Sequence, residues 1–299
     1  MAKELMLEIG KKLRSLRLEK GMTQADACGD ESELSIRQLA RIEKGQTMIT
    51  LPKLAYLSDI YEVSIQELVD TDKMSLPKEY LVLKNKLIRS HTYGDPERIR
   101  KHEKMFDEIY EKYYENLPEE EQVLIEAVQI LLDVYSSHDS NYALGLLDEY
   151  FHQVLKKQGY SLNDLLIINI YFFCCAVGLE DTQYFEELSD KVLLNIDYSD
   201  PEKLFLFELT LLAILTNVAP EKYLIYTTIL REIIEETHSF VHKPVVYYVE
   251  AKYYLEVEED RDKASDFYDK AITFASMIGD EVLVSKLEDE RKQDLATYQ

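Results

Sequence analysis

The chain is short of the residues that punctuate a fold, with 9 Gly and 7 Pro among 299 residues. An all-β sandwich needs a turn signal about every ten residues, so this scarcity excludes that class and favours helices joined by short loops. Cysteine is scarce too. Three thiols, Cys28 and the neighbours Cys174 and Cys175, make no disulfide framework, because adjacent cysteines on a helix cannot close a relaxed bridge. A reducing cytoplasm is the expected compartment. Long apolar runs are missing. The longest, Leu165 to Leu179, has about 15 residues with Asn169 inside it, against roughly 20 for a bilayer span, and residues 1–10 carry no signal-peptide apolar segment. No membrane association is expected. Phosphate-cradling glycine loops, nucleophile elbows and paired catalytic motifs are absent as well, so the sequence predicts no enzyme and no cofactor. His238 and His242 are four apart but lack a third ligand, and Pro244 frays the helix that would present them, so no metal site is expected,.

Positive charge is the other shortage: 34 Lys and Arg face 57 Asp and Glu, for a net charge of −23. A field of that sign repels nucleic acid, so any DNA contact has to be local. The imbalance is uneven. Residues 1–70 carry −2 and the remainder −21, and Asp70-Thr71-Asp72-Lys73 with Pro77 interrupts the helical pattern at the same place,. The expected division is a small domain over 1–72, a linker over 73–96 and a long domain over 97–299. A hydrophobic content of 46% lets both domains bury a core,.

Within 1–72, Leu5, Ile9, Leu13 and Leu16 repeat at helical spacing until Gly21 ends the run,. Thr23, Ser35 and Ser64 stand where N-caps belong, which predicts five short helices in a compact bundle,. Beyond it, helices of about 15 to 20 residues, paired about every 35 to 42 residues, point to a repeat solenoid. The stretch Ala264-Ser265-Asp266-Phe267-Tyr268-Asp269-Lys270-Ala271, small residues flanking an aromatic pair, resembles the second helix of a tetratricopeptide repeat (TPR). The fold class expected is all-α: an N-terminal helix-turn-helix bundle followed by a TPR-like helical-repeat solenoid.

Gly21-Met22-Thr23-Gln24, followed by Leu34 to Gly45 with its ending Ile42-Glu43-Lys44-Gly45, resembles the helix-turn-helix of the Xre/Cro repressor class,. The turn Asp30-Glu31-Ser32-Glu33 is longer and more acidic than is usual in that class. With Ser35 heading the second helix, the first turn enters the major groove and brings Arg37 and Gln38 to base edges, Arg favouring guanine and Gln adenine. Ser35 is a DNA-site candidate through the helix start it heads, and Gln24, and Gln46 with Thr47 beyond the reading helix, are candidates for positioning the backbone phosphates. Arg41 and Lys44 suit either DNA or the helix dipole. Ile36, Leu39 and Ile42 are expected as the buried stripe. The resemblance implies that Arg17 and Glu43 form an internal ion pair between the first helix and the end of the reading helix.

The −21 segment cannot be the DNA surface, so its expected work is to dimerise, to sense or to contact polymerase. The concave face of a solenoid suits an extended peptide, with amides for its backbone and rings for its side chains. Asn169, Tyr171, Asn217 and Tyr247 are the candidate peptide contacts, with ordinary burial in the core as the alternative.

Residues 31–45, Lys84-Asn85-Lys86-Leu87-Ile88, Pro96-Glu97-Arg98-Ile99, Leu117-Pro118-Glu119-Glu120-Glu121 and Tyr268-Asp269-Lys270-Ala271-Ile272 together resemble the ComR-like members of the Rgg group of peptide-sensing regulators, nearly end to end. The resemblance implies a cytoplasmic receptor for a short hydrophobic signalling peptide. The peptide lodges in the helical repeats, and the peptide-bound homodimer binds double-stranded promoter DNA at an inverted repeat, activating competence or bacteriocin genes. Gly94 and His102 stand where that group has basic residues, which implies a different peptide preference. Charge and the behaviour of the group together suggest an autoinhibitory contact in the resting state, with Glu119, Glu120 and Glu121 set against Arg37. The alternative is a ligand-independent repressor or antitoxin whose repeats bind a protein partner.

Overall fold

The computed structural model describes residues 2–68 and 76–297. The expected boundary after residue 72 falls outside them. Among the described residues every regular element is helical, apart from one isolated parallel bridge between Met48 and Pro118.

The N-terminal bundle is built from α1 (Ala2–Glu19), α2 (Gln24–Cys28), α3 (Ile36–Glu43), α4 (Leu51–Tyr61) and α5 (Ile65–Leu68). Its ends are written in local chemistry. The Gly21 N–H bonds the Leu18 carbonyl and the Met22 N–H that of Arg17, with Gly21 at φ +68°, which closes α1 in the left-handed turn that a residue without Cβ adopts most readily. Thr23 starts α2 with a reciprocal cap to Asp26,. Leu13, Leu39, Leu54 and Tyr61 are fully buried at the centre of this bundle.

Helix α1 crosses the end of α3 very closely at Gly10. A Cβ built there would lie 2.3 Å from the Ile42 carbonyl oxygen and 3.1 Å from that of Glu43. Alanine is the better helix former by about 1 kcal/mol, but the clash is with backbone that cannot rotate away, and overpacking costs about 1–3 kcal/mol or more. The clash wins. Gly10→Ala is therefore expected to lower the melting temperature of the bundle, as followed by circular dichroism; an unchanged or raised melting temperature would contradict the close crossing.

The helices that follow are α6 (Lys78–Arg89), α7 (Pro96–Lys112), α8 (Glu119–Ser137), α9 (Leu144–Lys156), α10 (Leu162–Ala176), α11 (Phe185–Leu194), α12 (Pro201–Ile214), α13 (Tyr223–Thr237), α14 (Lys243–Glu256), α15 (Arg261–Met277) and α16 (Glu281–Thr297). Segment 73–96, read as a linker, carries α6, which buries Tyr80 and Leu87, seven residues apart on one helical stripe. Several helices are shorter than the apolar pattern predicts. Tight 3₁₀ turns take residues 114–116, 140–143, 220–222 and 240–242, where helix ends favour the narrower turn.

Contacts gather the chain into two compact units: Met1–His91 with Pro96–Leu132 and Leu144–Asn163, and Thr92–Asp95 with Asp133–Ala143 and Asp164–Gln299. In the second unit α10 is buried nearly all round, which accounts for the apolar run from Leu165 onward as a core helix. Among the described residues no helix is long and apolar enough to cross a membrane. Ala264, Ala271 and Ala275 are fully buried where α15 packs against α14 and α16, so the small residues of the repeat-like stretch do permit close approach. Burial pushes the Cys28 and Cys174 thiols up to about 12 and Cys175 to about 11, leaving all three as poor nucleophiles at neutral pH.

Candidate nucleic-acid interface

The reading helix α3 is fixed at both ends. Ser35 Oγ accepts from the Gln38 N–H at 3.2 Å while Gln38 Oε1 accepts from the Ser35 N–H at 3.0 Å, a reciprocal cap. At the other end, the Gly45 N–H bonds Ile42 O at 2.8 Å and the Gln46 N–H bonds Arg41 O at 2.9 Å. Gly45 sits at φ +65° with an added Cβ only 2.8 Å from Leu7 Cα, so both conformation and space require glycine.

Beneath α3, Arg17 grips Glu43 with two parallel bonds, Nε to Oε1 at 2.6 Å and Nη2 to Oε2 at 2.9 Å, and both residues are buried. Arg17 Nη1 also donates to Met22 O at 2.8 Å, and Gln24 Nε2 donates to Glu43 Oε2 at 2.9 Å. The implied ion pair exists. It engages the Gln24 amide, a candidate phosphate contact, inside the bundle.

The candidate DNA residues accordingly separate. Arg37 keeps 70% of its side chain exposed and Arg41 36%, and Lys44 and Gln46 are exposed. Gln38 is buried, with its amide oxygen committed to the Ser35 cap, so its side chain is spent on holding the helix start. Thr47 is buried too, its hydroxyl without a hydrogen-bond partner, beside Met48, whose carbonyl accepts from the Glu119 N–H at 3.1 Å. Ile36 departs from the expected stripe: Leu39 and Ile42 are buried, but Ile36 is 37% exposed.

Acidic side chains meet these cations within the same unit. Glu149 of α9 lies 3.3 Å from Arg37 Nη1 and 3.9 Å from Arg41 Nη1. Glu119 of α8 lies 3.5 Å from Arg41 and 3.9 Å from Lys53, and Glu120 accepts from Thr50 Oγ1 at 2.9 Å. Glu121 turns elsewhere, to Lys84 at 2.9 Å and to the Tyr80 hydroxyl. The expectation that the three acids face Arg37 is thus revised: the acid on Arg37 is Glu149. Burial raises the Glu119 carboxyl above its ordinary range, against the opposing pull of Lys53 and Arg41. Helix α9 also bonds the acidic turn ahead of α3, from Gln153 Nε2 to Glu31 O at 2.6 Å and Ser32 O at 3.3 Å and from Lys156 Nζ to Asp30 O at 3.3 Å. Glu149, Gln153 and Lys156 fall at i, i+4 and i+7, one face of a helix. That spacing is visible in the sequence, but a solvated face has the same pattern.

The four candidate peptide contacts belong to the second unit. Asn169 and Tyr171 are buried in α10, and the Tyr171 hydroxyl accepts from the Tyr184 N–H at 3.2 Å. Asn217 is exposed in the turn after α12. Tyr247 is half-buried on α14, with the Arg231 guanidinium 5.0 Å from its ring centre. His242 is buried against Glu208. His102 is buried, with Ser90 Oγ 2.7 Å from its Nε2, and that burial lowers its affinity for a proton.

A capped reading helix on a small bundle, followed by paired helices, defines a helix-turn-helix transcription regulator with TPR-like repeats. Helix-turn-helix sequences match residues 13–68, and the ComR tetratricopeptide family matches residues 77–291. The chain belongs to the ComR family of transcription regulators. Apo ComR from S. thermophilus is 32% identical, over 97% of this chain and 100% of its own, with a TM-score of 0.83. Apo ComR from Streptococcus vestibularis is 33% identical over 97% and 99%, with a TM-score of 0.81. ComR from S. thermophilus in complex with DNA and its signalling peptide ComS is 32% identical over 96% and 99%, with a TM-score of 0.68. No curated protein matches the chain significantly.

Proposed function

We propose that this chain is a cytoplasmic quorum-sensing activator. It binds a short hydrophobic peptide pheromone in its helical repeats, dimerises, and binds an inverted-repeat promoter to switch on competence or bacteriocin genes. Residues 1–72 read DNA, 73–96 join the parts, and 97–299 bind peptide and dimerise. An inverted repeat follows from the two-fold symmetry of a dimer, since one reading head covers half a site. A solved ComR that holds both DNA and its signalling peptide supports the choice of ligands.

The observation that carries this reading is the occupation of the reading cations by acids from the ComR tetratricopeptide segment: Glu149 on Arg37 and Arg41, and Glu119 on Arg41. Phosphates and guanine edges compete for the same guanidinium groups. Resting protein is therefore held off DNA, and peptide binding shifts the balance only by as much as it favours the released state. On release, Arg37 reads bases, while Arg41, Lys44, Gln46 and the Ser35 end of α3 meet the duplex; Thr47, buried beside Met48, reaches it only if that burial is relieved. Asn217 and Tyr247 are the accessible members of the peptide set; Asn169 and Tyr171 reach a peptide only if α10 opens.

Titrating an inverted-repeat promoter duplex with the full chain, with and without a panel of short hydrophobic peptides, tests the reading. A peptide-dependent shift, with dimer mass in native mass spectrometry, is expected. DNA binding indifferent to every peptide would instead favour a ligand-independent repressor. Glu149→Ala is expected to raise peptide-free binding about fivefold, corresponding to about 1 kcal/mol for a part-buried ion pair. Glu119→Ala changes it less, because burial already penalises that carboxylate. Unchanged peptide-free binding by Glu149→Ala would remove the autoinhibitory contact.

A further inference from the structure

Ile36 is the exposed member of the apolar stripe of α3. It stands one turn before Leu39 on the same helical stripe, yet Leu39 and Ile42 are buried and Ile36 is exposed. It contributes little to the core, and a β-branched residue is a weaker helix former than a straight-chain one. Its place is nonetheless firmly held. It is the first residue of α3 after the Ser35 cap, and the Glu31 carboxylate accepts from its backbone N–H at 2.9 Å. A β-branched side chain on a helix has essentially one χ1 rotamer, so its methyl groups project in a set direction beside the exposed Arg37.

Residues at the start of a reading helix are those that meet base edges in the major groove. The group there that suits a rigid aliphatic side chain is the 5-methyl of thymine, which distinguishes a T·A pair from the other three. We propose that Ile36 is a specificity-determining residue that selects thymine at one base pair of each half-site by packing against its 5-methyl group, next to the base that Arg37 reads. This rests on the DNA-reading function proposed above. Guanidinium and isoleucine together then read two neighbouring pairs by different chemistry, one by hydrogen bonds and one by apolar contact.

The test is parallel selection from two random duplex libraries, one containing thymine and one containing deoxyuridine throughout, which lacks only the methyl group. The full chain is used, with the Glu149→Ala chain beside it and Ile36→Ala and Ile36→Val in both backgrounds. The expected result is enrichment of thymine at one position per half-site, lost in the deoxyuridine library, with about 3- to 10-fold weaker binding when that single thymine is replaced by deoxyuridine. Ile36→Val, which keeps the branched methyls, retains the preference; Ile36→Ala loses it while the guanine preference ascribed to Arg37 persists. Equal enrichment in the two libraries for the unsubstituted Ile36 chain overturns the proposal, as does a thymine preference unchanged in Ile36→Ala, and in both cases DNA reading stands. Each selection is run with and without the panel of short hydrophobic peptides; no enriched sequence from either library with any chain, peptides present, overturns DNA reading itself, and this assignment with it.

Discussion

Arg37→Ala is expected to lower the affinity of the peptide-released dimer for its selected duplex by about 1–3 kcal/mol per half-site, roughly five- to 150-fold each. The side chain is 70% exposed and its ion-pair partner is Glu149, so under the proposed role truncation removes a base contact while leaving the packing of α3 intact. Melting followed by circular dichroism should therefore be unchanged while fluorescence anisotropy at fixed salt records the loss. Fixed salt matters because phosphate contacts dominate the salt slope and would mask a change at a base. The same substitution also takes a cation away from Glu149. Specific affinity thus falls even though the resting contact weakens, and that combination separates a reading role from a purely restraining one. Retained operator affinity would contradict the role assigned to Arg37.

Glu43→Ala is expected to cost about 3–5 kcal/mol of stability, a large share of the roughly 5–15 kcal/mol that holds an ordinary domain together. Arg17 and Glu43 are both buried and joined by two bonds. Removing the carboxylate strands a guanidinium out of water and takes away the acceptor for the Gln24 amide. Replacing both charges with apolar groups removes the stranded charge, so the double variant Arg17→Met with Glu43→Leu should be more stable than either single variant. Urea unfolding of the four proteins measures this. A double variant less stable than both singles would mean that the pair contributes through something other than mutual compensation of buried charge.

The bundle was legible because its signals are local. Gly21 and Gly45 close helices through their own backbone bonds, and Thr23 and Ser35 open the next helices through side chains three residues from their partners. Such contacts involve neighbours along the chain, so residue type and spacing suffice to find them. Gln38 shows how the same signal is misassigned. Ser35 and Gln38 have the serine-to-glutamine spacing of a reciprocal cap, and the cap keeps the amide that looked available for adenine.

The contacts on the reading helix were only partly legible. The triplet Glu119-Glu120-Glu121 draws attention by its charge, but its members share no partner, and the acid that meets Arg37 is Glu149, 112 positions after it. Pairing over that distance depends on how α9 lies against α3, which no local pattern encodes. His242 and Glu208 illustrate the same limit within the second unit, 34 residues apart and both buried.

By itself the order of residues determined the all-helical class, the capped reading helix, the near-neutral front segment and the acidic remainder, because helix periodicity, capping and net charge act between neighbours or as plain totals. Only the tertiary structure decided which of the helix's polar groups remain exposed, which acid pairs with Arg37, and that Ile36 is exposed. Those outcomes depend on burial and on distances of a few ångströms between helices far apart along the chain, where a change of one helix face exchanges a solvated side chain for a buried one.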